Sequence, residues 1–127
     1  MKLITGGANQ GKLDYAKKKY NLNNTDVCSG IEFCLSNNLN VKCIYDYQLL
    51  VKKIIKQGED PIAYTKQLIC KYPDIIIIIN EIGSGIIPID KENRFWREQV
   101  GKAGCIIAEN AESVERIVCG IPQVLKQ

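Results

Sequence analysis

Histidine is absent from this sequence of 127 residues. The chain therefore has no imidazole that could act as a general base, a nucleophile or a metal ligand. Its six cysteines form no C-x-x-C pair, which excludes the usual zinc-binding spacings, and we expect most of them to be buried thiols. The net charge of +3 is too small to indicate a nucleic-acid partner. No apolar stretch is long enough to span a bilayer, so we expect no membrane association.

A predicted strand begins within two residues of the start, so we expect no secretory leader, and the sequence shows no linker or internal repeat. We therefore expect a cytoplasmic protein. Its length is typical of one domain, and the composition is that of an ordinary globular chain. Residues 1–127 are thus expected to form a single domain.

What is present is a glycine-rich loop in the stretch Lys2-Leu-Ile-Thr-Gly6-Gly-Ala-Asn-Gln-Gly11-Lys12-Leu13. A short apolar strand precedes it, and a helix from about Gly11 to Tyr20 follows. The spacing G-x-x-x-x-G-K is that of a phosphate-binding loop, in which backbone N–H groups, a helix N-terminus and a lysine surround the phosphates. The predicted nucleotide-binding residues are Gly6, Gly7, Ala8, Asn9, Gln10, Gly11, Lys12 and Leu13.

Leu13 occupies the position where such loops have a Ser or Thr hydroxyl for Mg²⁺. The loop therefore lacks its usual protein ligand for the metal. The alternative is that the glycines merely join a strand to a helix in an ordinary α/β domain.

Further along the chain, five consecutive isoleucines, Ile75–Ile79, predict a strand buried on both faces. The overall pattern predicts an α/β fold of three layers, with a mostly parallel sheet and helices on both faces. The other predicted elements are a strand or connection at 25–28, a short helical segment at 30–35, a strand at 41–44, helices at 45–57, 61–71 and 91–110, a strand at 113–119 and a short tail.

Polar groups follow the predicted strands at the edge where the glycine loop should lie. Glu81 follows the isoleucine strand and is the candidate for holding Mg²⁺, directly or through water, or for acting as a base. Its alternative role is that of a solvated glutamate. Asp46 follows another strand and supplies either a second carboxylate or the N-cap of the next helix.

Two more groups are candidates for phosphate or substrate binding. Arg94 and Arg97 lie three residues apart on one helix and either clamp an anion or form ion pairs. Gly83 and Gly85 bracket a loop that either contacts substrate or simply turns the chain.

The sequence resembles the adenosylcobinamide kinase/adenosylcobinamide-phosphate guanylyltransferase family. The resemblance is carried by Asn80-Glu-Ile-Gly-Ser-Gly-Ile-Ile-Pro88, by Arg94-Phe-Trp-Arg-Glu98 with Gly101, by Cys119-Gly-Ile-Pro122 and by the glycine loop. It implies a P-loop fold of the RecA-like type and a homotrimer. It also implies Mg²⁺-dependent transfer of the γ-phosphate of GTP or ATP to the aminopropanol hydroxyl of adenosylcobinamide, in cobalamin biosynthesis and corrinoid salvage.

The family's second activity passes GMP through an enzyme-bound histidine, which this chain cannot provide. The resemblance therefore indicates a kinase with Lys12 and Glu81 as catalytic residues and a purine nucleotide and a corrinoid as partners. The alternative is a nucleotide- or corrinoid-binding protein with weakened catalysis, acting as a regulator or a partner subunit.

Overall fold

The computed structural model describes residues 1–36, 40–82 and 90–127. Six strands form one sheet: β1 Lys2–Gly6, β2 Val27–Ser29, β3 Cys43–Tyr45, β4 Ile76–Asn80, β5 Ser113–Val118 and β6 Ile121–Lys126. Four α-helices accompany them: α1 Lys12–Tyr20, α2 Tyr47–Lys56, α3 Pro61–Lys71 and α4 Lys91–Asn110. The strand order is β2-β3-β4-β1-β5-β6, and among the strands in the described ranges only the β5–β6 pair is antiparallel.

The isoleucine strand is covered on both faces, as its sequence predicts. Ile76 and Ile78 pack with Ala16 of α1, whereas Ile77 and Ile79 pack with residues of α2, α3 and α4. This division follows from the alternation of side chains along a strand. The expected α/β fold, with a mostly parallel sheet and helices on both faces, is therefore confirmed.

Local signals account for the helix boundaries. The side chain of Asp60 accepts a hydrogen bond from the backbone N–H of Ile62 at 2.9 Å, and Pro61 takes the first position of α3. Asp90 caps α4 in the same way, accepting from the N–H of Asn93 at 2.7 Å. Both helices begin where the sequence predicts.

A charged group is buried between α1 and β5. Glu115 is 2 % exposed, and its carboxylate accepts hydrogen bonds from the Tyr15 hydroxyl and from Lys19 Nζ at 2.8 Å. Burial alone would raise the pKa of Glu115, but these hydrogen bonds outweigh it and lower the pKa below its usual value. The ion pair therefore couples the helix after the glycine loop to the sheet.

Two predicted elements are wrong. Residues 30–35 form turns rather than a helix: the Phe33 N–H bonds the Ser29 carbonyl, but the Leu35 N–H is taken by the Tyr64 hydroxyl at 3.0 Å, so no second turn forms. The predicted tail is instead β6, which pairs antiparallel with β5 after a tight turn at Cys119 and Gly120. For residues 25–28, the sequence predicted either a strand or a connection. The structure has a 3₁₀ turn at Asn24–Asp26, followed by β2.

Candidate functional site

The glycine loop lies at the carboxyl end of β1 and leads directly into α1. Gly6 has φ +149°, and a Cβ built on it would lie 2.6 Å from the Ile117 carbonyl oxygen of β5. Gly11 precedes the helix with φ +83°. The strand, glycine turn and helix predicted from the sequence are therefore present, with a glycine required at the first loop position.

Lys12 is held inside this loop. Its side chain is 7 % exposed, and Nζ donates to the Gly7 carbonyl oxygen at 2.6 Å. Burial lowers the pKa of Lys12, and the nearby carboxylates of Asp46 and Glu81 act in the opposite direction. The loop thus places an ammonium group at its centre, with two carboxylates near enough to influence it.

A contact that the sequence did not predict ties the loop to the turn that follows β5, the strand beside β1. The Cys119 N–H donates to Gln10 Oε1 at 2.6 Å, and the Gly120 N–H donates to the Gln10 carbonyl oxygen at 2.9 Å. Both donors lie in the turn between β5 and β6. The conformation of the loop therefore depends on a hairpin more than 100 residues away in the chain.

An open groove of about 650 Å³ runs from the glycine loop across the carboxyl ends of β3 and β4. Leu13 contributes an apolar side chain to it, so the usual hydroxyl ligand for Mg²⁺ is missing there. The residues lining the groove are Ala8, Asn9, Gln10, Gly11, Lys12, Leu13, Asp14, Tyr45, Asp46, Gln48, Leu49, Ile78, Asn80, Ile82 and Trp96.

Two carboxylates, Asp14 of α1 and Asp46 before α2, share this groove with Lys12, and Asp46 is the one that also influences the pKa of Lys12. It occupies the N-cap position of α2, as one of its two predicted roles requires, but its side chain makes no capping hydrogen bond. Its backbone is left-handed, with φ +54°, a conformation that a non-glycine residue adopts at a cost of about 1 to 3 kcal/mol. The carboxylate instead accepts from Gln48 Nε2 at 3.2 Å. The strained backbone and the uncapped helix favour Asp46 as a ligand-binding group.

Gln48 links three parts of the groove wall, and the sequence analysis did not identify it. It is 4 % exposed, and besides its bond to Asp46 its Oε1 accepts from the Asn80 N–H at 3.0 Å. Its carbonyl oxygen accepts from Trp96 Nε1 at 2.8 Å. The available signal was a polar residue within the apolar stripe of α2.

Glu81 lies beside the loop but outside the groove lining. Its N–H donates to the Gly6 carbonyl oxygen at 2.8 Å. Both of its carboxylate oxygens accept from Arg116 of β5, from Nε at 2.7 Å and from Nη2 at 3.2 Å. The sequence placed Glu81 at the correct edge of the sheet but did not predict its partner.

The other predicted site residues are not drawn into the groove. Among the residues that the structure describes, the lining includes neither Arg94, which is exposed, nor Arg97, which is half-buried. Gly83 and Gly85 lie outside the described residues. Within the described ranges there is no group of three or more Cys, Asp and Glu side chains suited to a metal, and no helix is both long and apolar enough to cross a membrane.

Comparison with known proteins gives one family match and no match among curated proteins. The family model described as cobinamide kinase/cobinamide phosphate guanyltransferase matches residues 34–125, which include Asp46, Gln48, Glu81, Trp96 and Arg116. The matched segment begins after the glycine loop, so the interpretation of the loop rests on its own geometry. Since the match covers well over half of the chain and agrees with a P-loop-like fold, the chain belongs to the cobinamide kinase/cobinamide phosphate guanyltransferase family.

Proposed function

We propose that this protein is a nucleotide-dependent kinase that phosphorylates the aminopropanol hydroxyl of adenosylcobinamide, using GTP or ATP. The observation that carries the proposal is the convergence of Lys12 and Asp46 on one groove at the end of a glycine loop and the start of a helix. An ammonium group, free N–H groups and a carboxylate in one place suit a nucleotide with its metal ion. The family match supports the choice of acceptor.

The glycine loop, from Gly6 to Leu13, holds the phosphate chain in this proposal. Its backbone N–H groups and the N-terminus of α1 face the anion, and Lys12 moves from the Gly7 carbonyl to the outer phosphates. Transfer joins the acceptor oxygen to the γ-phosphorus while the bond to the β–γ bridging oxygen breaks, and the nucleoside diphosphate leaves. The buried position of Lys12 excludes water from this charge and strengthens its attraction for phosphate.

Mg²⁺ fits the donor set, since it is usually held by one or two carboxylates together with substrate phosphates. Asp46 is the favoured ligand because it lines the groove with Lys12 and its side chain caps no helix. When bound, the ion would neutralise charge on the phosphates. Glu81 is the candidate base for the acceptor proton or a ligand through water, since each of its oxygens keeps a lone pair beyond the bonds to Arg116.

The acceptor is proposed to enter from the end of the groove lined by Leu49, Ile82 and Trp96, where apolar surface is available. The guanylyl transfer that the family name also describes is not proposed for this chain through a histidine intermediate, because the chain has no histidine. We further propose one nucleotide-binding domain over residues 1–127, since a single sheet joins all six strands, and a homotrimer on the basis of the family resemblance.

The test combines binding with turnover. GTP and ATP are titrated with and without Mg²⁺, and adenosylcobinamide plus nucleotide is assayed for phosphorylated product by mass spectrometry. Lys12→Ala is expected to lower nucleotide affinity at least tenfold on the scale of a lost charge-assisted hydrogen bond, and Asp46→Asn is expected to remove the gain from Mg²⁺. Lys66→Ala, which removes an exposed lysine of α3, is the matched control and should bind as the wild type does.

A second candidate is a nucleotide- or corrinoid-binding protein without turnover, acting as a regulator or partner. The observation that favours it is Leu13, which lines the groove where such loops have a Ser or Thr hydroxyl as a ligand for Mg²⁺. Nucleotide binding that depends on Lys12, together with no phosphorylated corrinoid, would support this candidate. Binding that Lys12→Ala leaves unchanged would contradict both candidates.

A further inference from the structure

An ion pair between Glu81 and Arg116 spans β1 at the end of that strand where the glycine loop begins. Glu81 follows β4, Arg116 lies on β5, and β1 runs between these two strands. The two carboxylate oxygens of Glu81 accept from Nε and Nη2 of Arg116, the geometry of a bidentate pair. The pair therefore closes over β1 just before Gly6.

The backbone of Arg116 is held in place by the pairing of β5 with β1. Arg116 pairs with Thr5 in the β1–β5 ladder, one residue before the loop. Its neighbours Glu115 and Ile117 point to the α1 side of the sheet, so Arg116 points to the face on which α4 lies. The N–H of Glu81 is also bonded to the Gly6 carbonyl oxygen. Both partners are thus anchored to backbone that borders the loop.

Glu81 influences the electrostatics of the glycine loop through its effect on Lys12. Lys12 lies close enough to Glu81 for that carboxylate to raise its pKa, against the effect of burial. An unpaired carboxylate beside the loop would repel a bound triphosphate, and an unpaired guanidinium there would attract it. Held together, the two groups present almost no net charge to the loop.

We propose that Arg116 is a positioning residue that holds Glu81 as a neutral, bidentate pair beside the glycine loop, and that this pair sets the affinity of the loop for the anionic phosphate chain. The inference rests on the proposed nucleotide-binding function. It assigns a role to Arg116, a residue that belongs to none of the motifs in the sequence. The role requires the charge of each residue to offset the charge of the other, so the two substitutions should shift nucleotide affinity in opposite directions and cancel in the double variant.

The test is a double-mutant cycle of Arg116→Gln, Glu81→Gln and both together, with ATP and GTP affinities measured by calorimetry in EDTA. Removing Arg116 should weaken binding, and removing Glu81 should strengthen it, each roughly fivefold. The double variant should return to within about twofold of the wild type, because the charge is again balanced. Arg116→Lys keeps the charge but loses the two-point contact, so its nucleotide affinity should lie between those of the wild type and Arg116→Gln.

The matched control is Glu112→Gln, which removes the carboxylate from another surface ion pair, with Lys2 Nζ at 2.7 Å. Lys2 is at the opposite end of β1 from the loop, so this change should leave nucleotide affinity unaltered. The effects of the Arg116 and Glu81 variants should also shrink in high salt, which a purely structural role would not explain.

If the wild type binds nucleotide but both single variants weaken binding, or neither changes it, the inference is overturned and the proposed function stands. If the wild type binds no nucleotide, both are overturned. Repeating the cycle with Mg²⁺ separates the roles of Glu81: a tighter Glu81→Gln complex in both conditions supports the neutral pair alone, whereas weakening only with Mg²⁺ adds a metal role for Glu81.

Discussion

The first glycine of the loop is expected to be indispensable for folding as well as for ligand binding. A Cβ at Gly6 would lie 2.6 Å from the Ile117 carbonyl oxygen, and that oxygen belongs to the backbone of β5 and cannot rotate away. The backbone there has φ +149°, which side chains rarely adopt. Gly6→Ala therefore combines backbone strain with a steric clash between two paired strands.

Each contribution has a magnitude. A non-glycine residue in this region of φ costs about 1 to 3 kcal/mol, and overpacking against fixed backbone costs about as much. We expect Gly6→Ala to lower the free energy of unfolding by about 2 to 6 kcal/mol, a large part of the ~5 to 15 kcal/mol typical of a domain. Urea unfolding followed by circular dichroism measures the loss.

Two other glycines provide controls for the same substitution. A Cβ at Gly7 would lie 3.7 Å from its nearest neighbour, an ordinary contact, so Gly7→Ala should change stability by less than about 0.5 kcal/mol. Gly101 lies within α4 with nothing near its Cβ position, so Gly101→Ala should stabilise the protein by about 0.5 to 1 kcal/mol. If Gly6→Ala were as stable as Gly7→Ala, the close approach of β5 to the loop would be refuted.

Three further predictions concern stability. The pKa of Glu115 is lower in the folded than in the unfolded chain, so the carboxylate stabilises the fold at pH values above its usual pKa of 4.5. This stabilisation is lost as the pH falls through the lower pKa of the folded state. Glu115→Gln should therefore reduce the fall in the free energy of unfolding that urea titrations measure between about pH 5 and pH 3. The Tyr47 hydroxyl and Thr65 Oγ1 are buried 2.7 Å apart, and Thr65 Oγ1 also donates to the Pro61 carbonyl oxygen. Thr65→Val should therefore cost about 1 to 3 kcal/mol by orphaning the Tyr47 hydroxyl, whereas Tyr47→Phe should cost only about 1 kcal/mol, and thermal melts that rank them in reverse would contradict this. Asp60→Ala should cost about 1 kcal/mol through loss of the α3 cap. Asp46→Asn loses no capping bond and keeps a side chain that tolerates the left-handed backbone, so it should not lower the melting temperature.

Much of the fold could be predicted because its signals are local. The proline and aspartate at the start of α3, the aspartate before α4 and the unbroken isoleucines of β4 each act within a few residues. The edge strand β6 carried no such signal: all its residues are exposed, and it exists because β5 offers a partner. The turns at 30–35 were also beyond local reasoning, because a tyrosine hydroxyl 29 residues away takes the N–H of Leu35.

The candidate site divides in the same way. The glycine loop, the position of Lys12 and the polar edge of the sheet could be predicted from the sequence, because spacing and element order are enough to place them. Which carboxylate lines the groove beside Lys12 depends on the tertiary structure. Strand order brings Asp46 into the groove and sets Arg116 across β1 from Glu81, and Gln48 then links Asp46 to Asn80 and Trp96. Apart from the bond between Gln48 and Asp46, these contacts join residues 32 to 48 positions apart, and no local pattern in the sequence records which strands are neighbours.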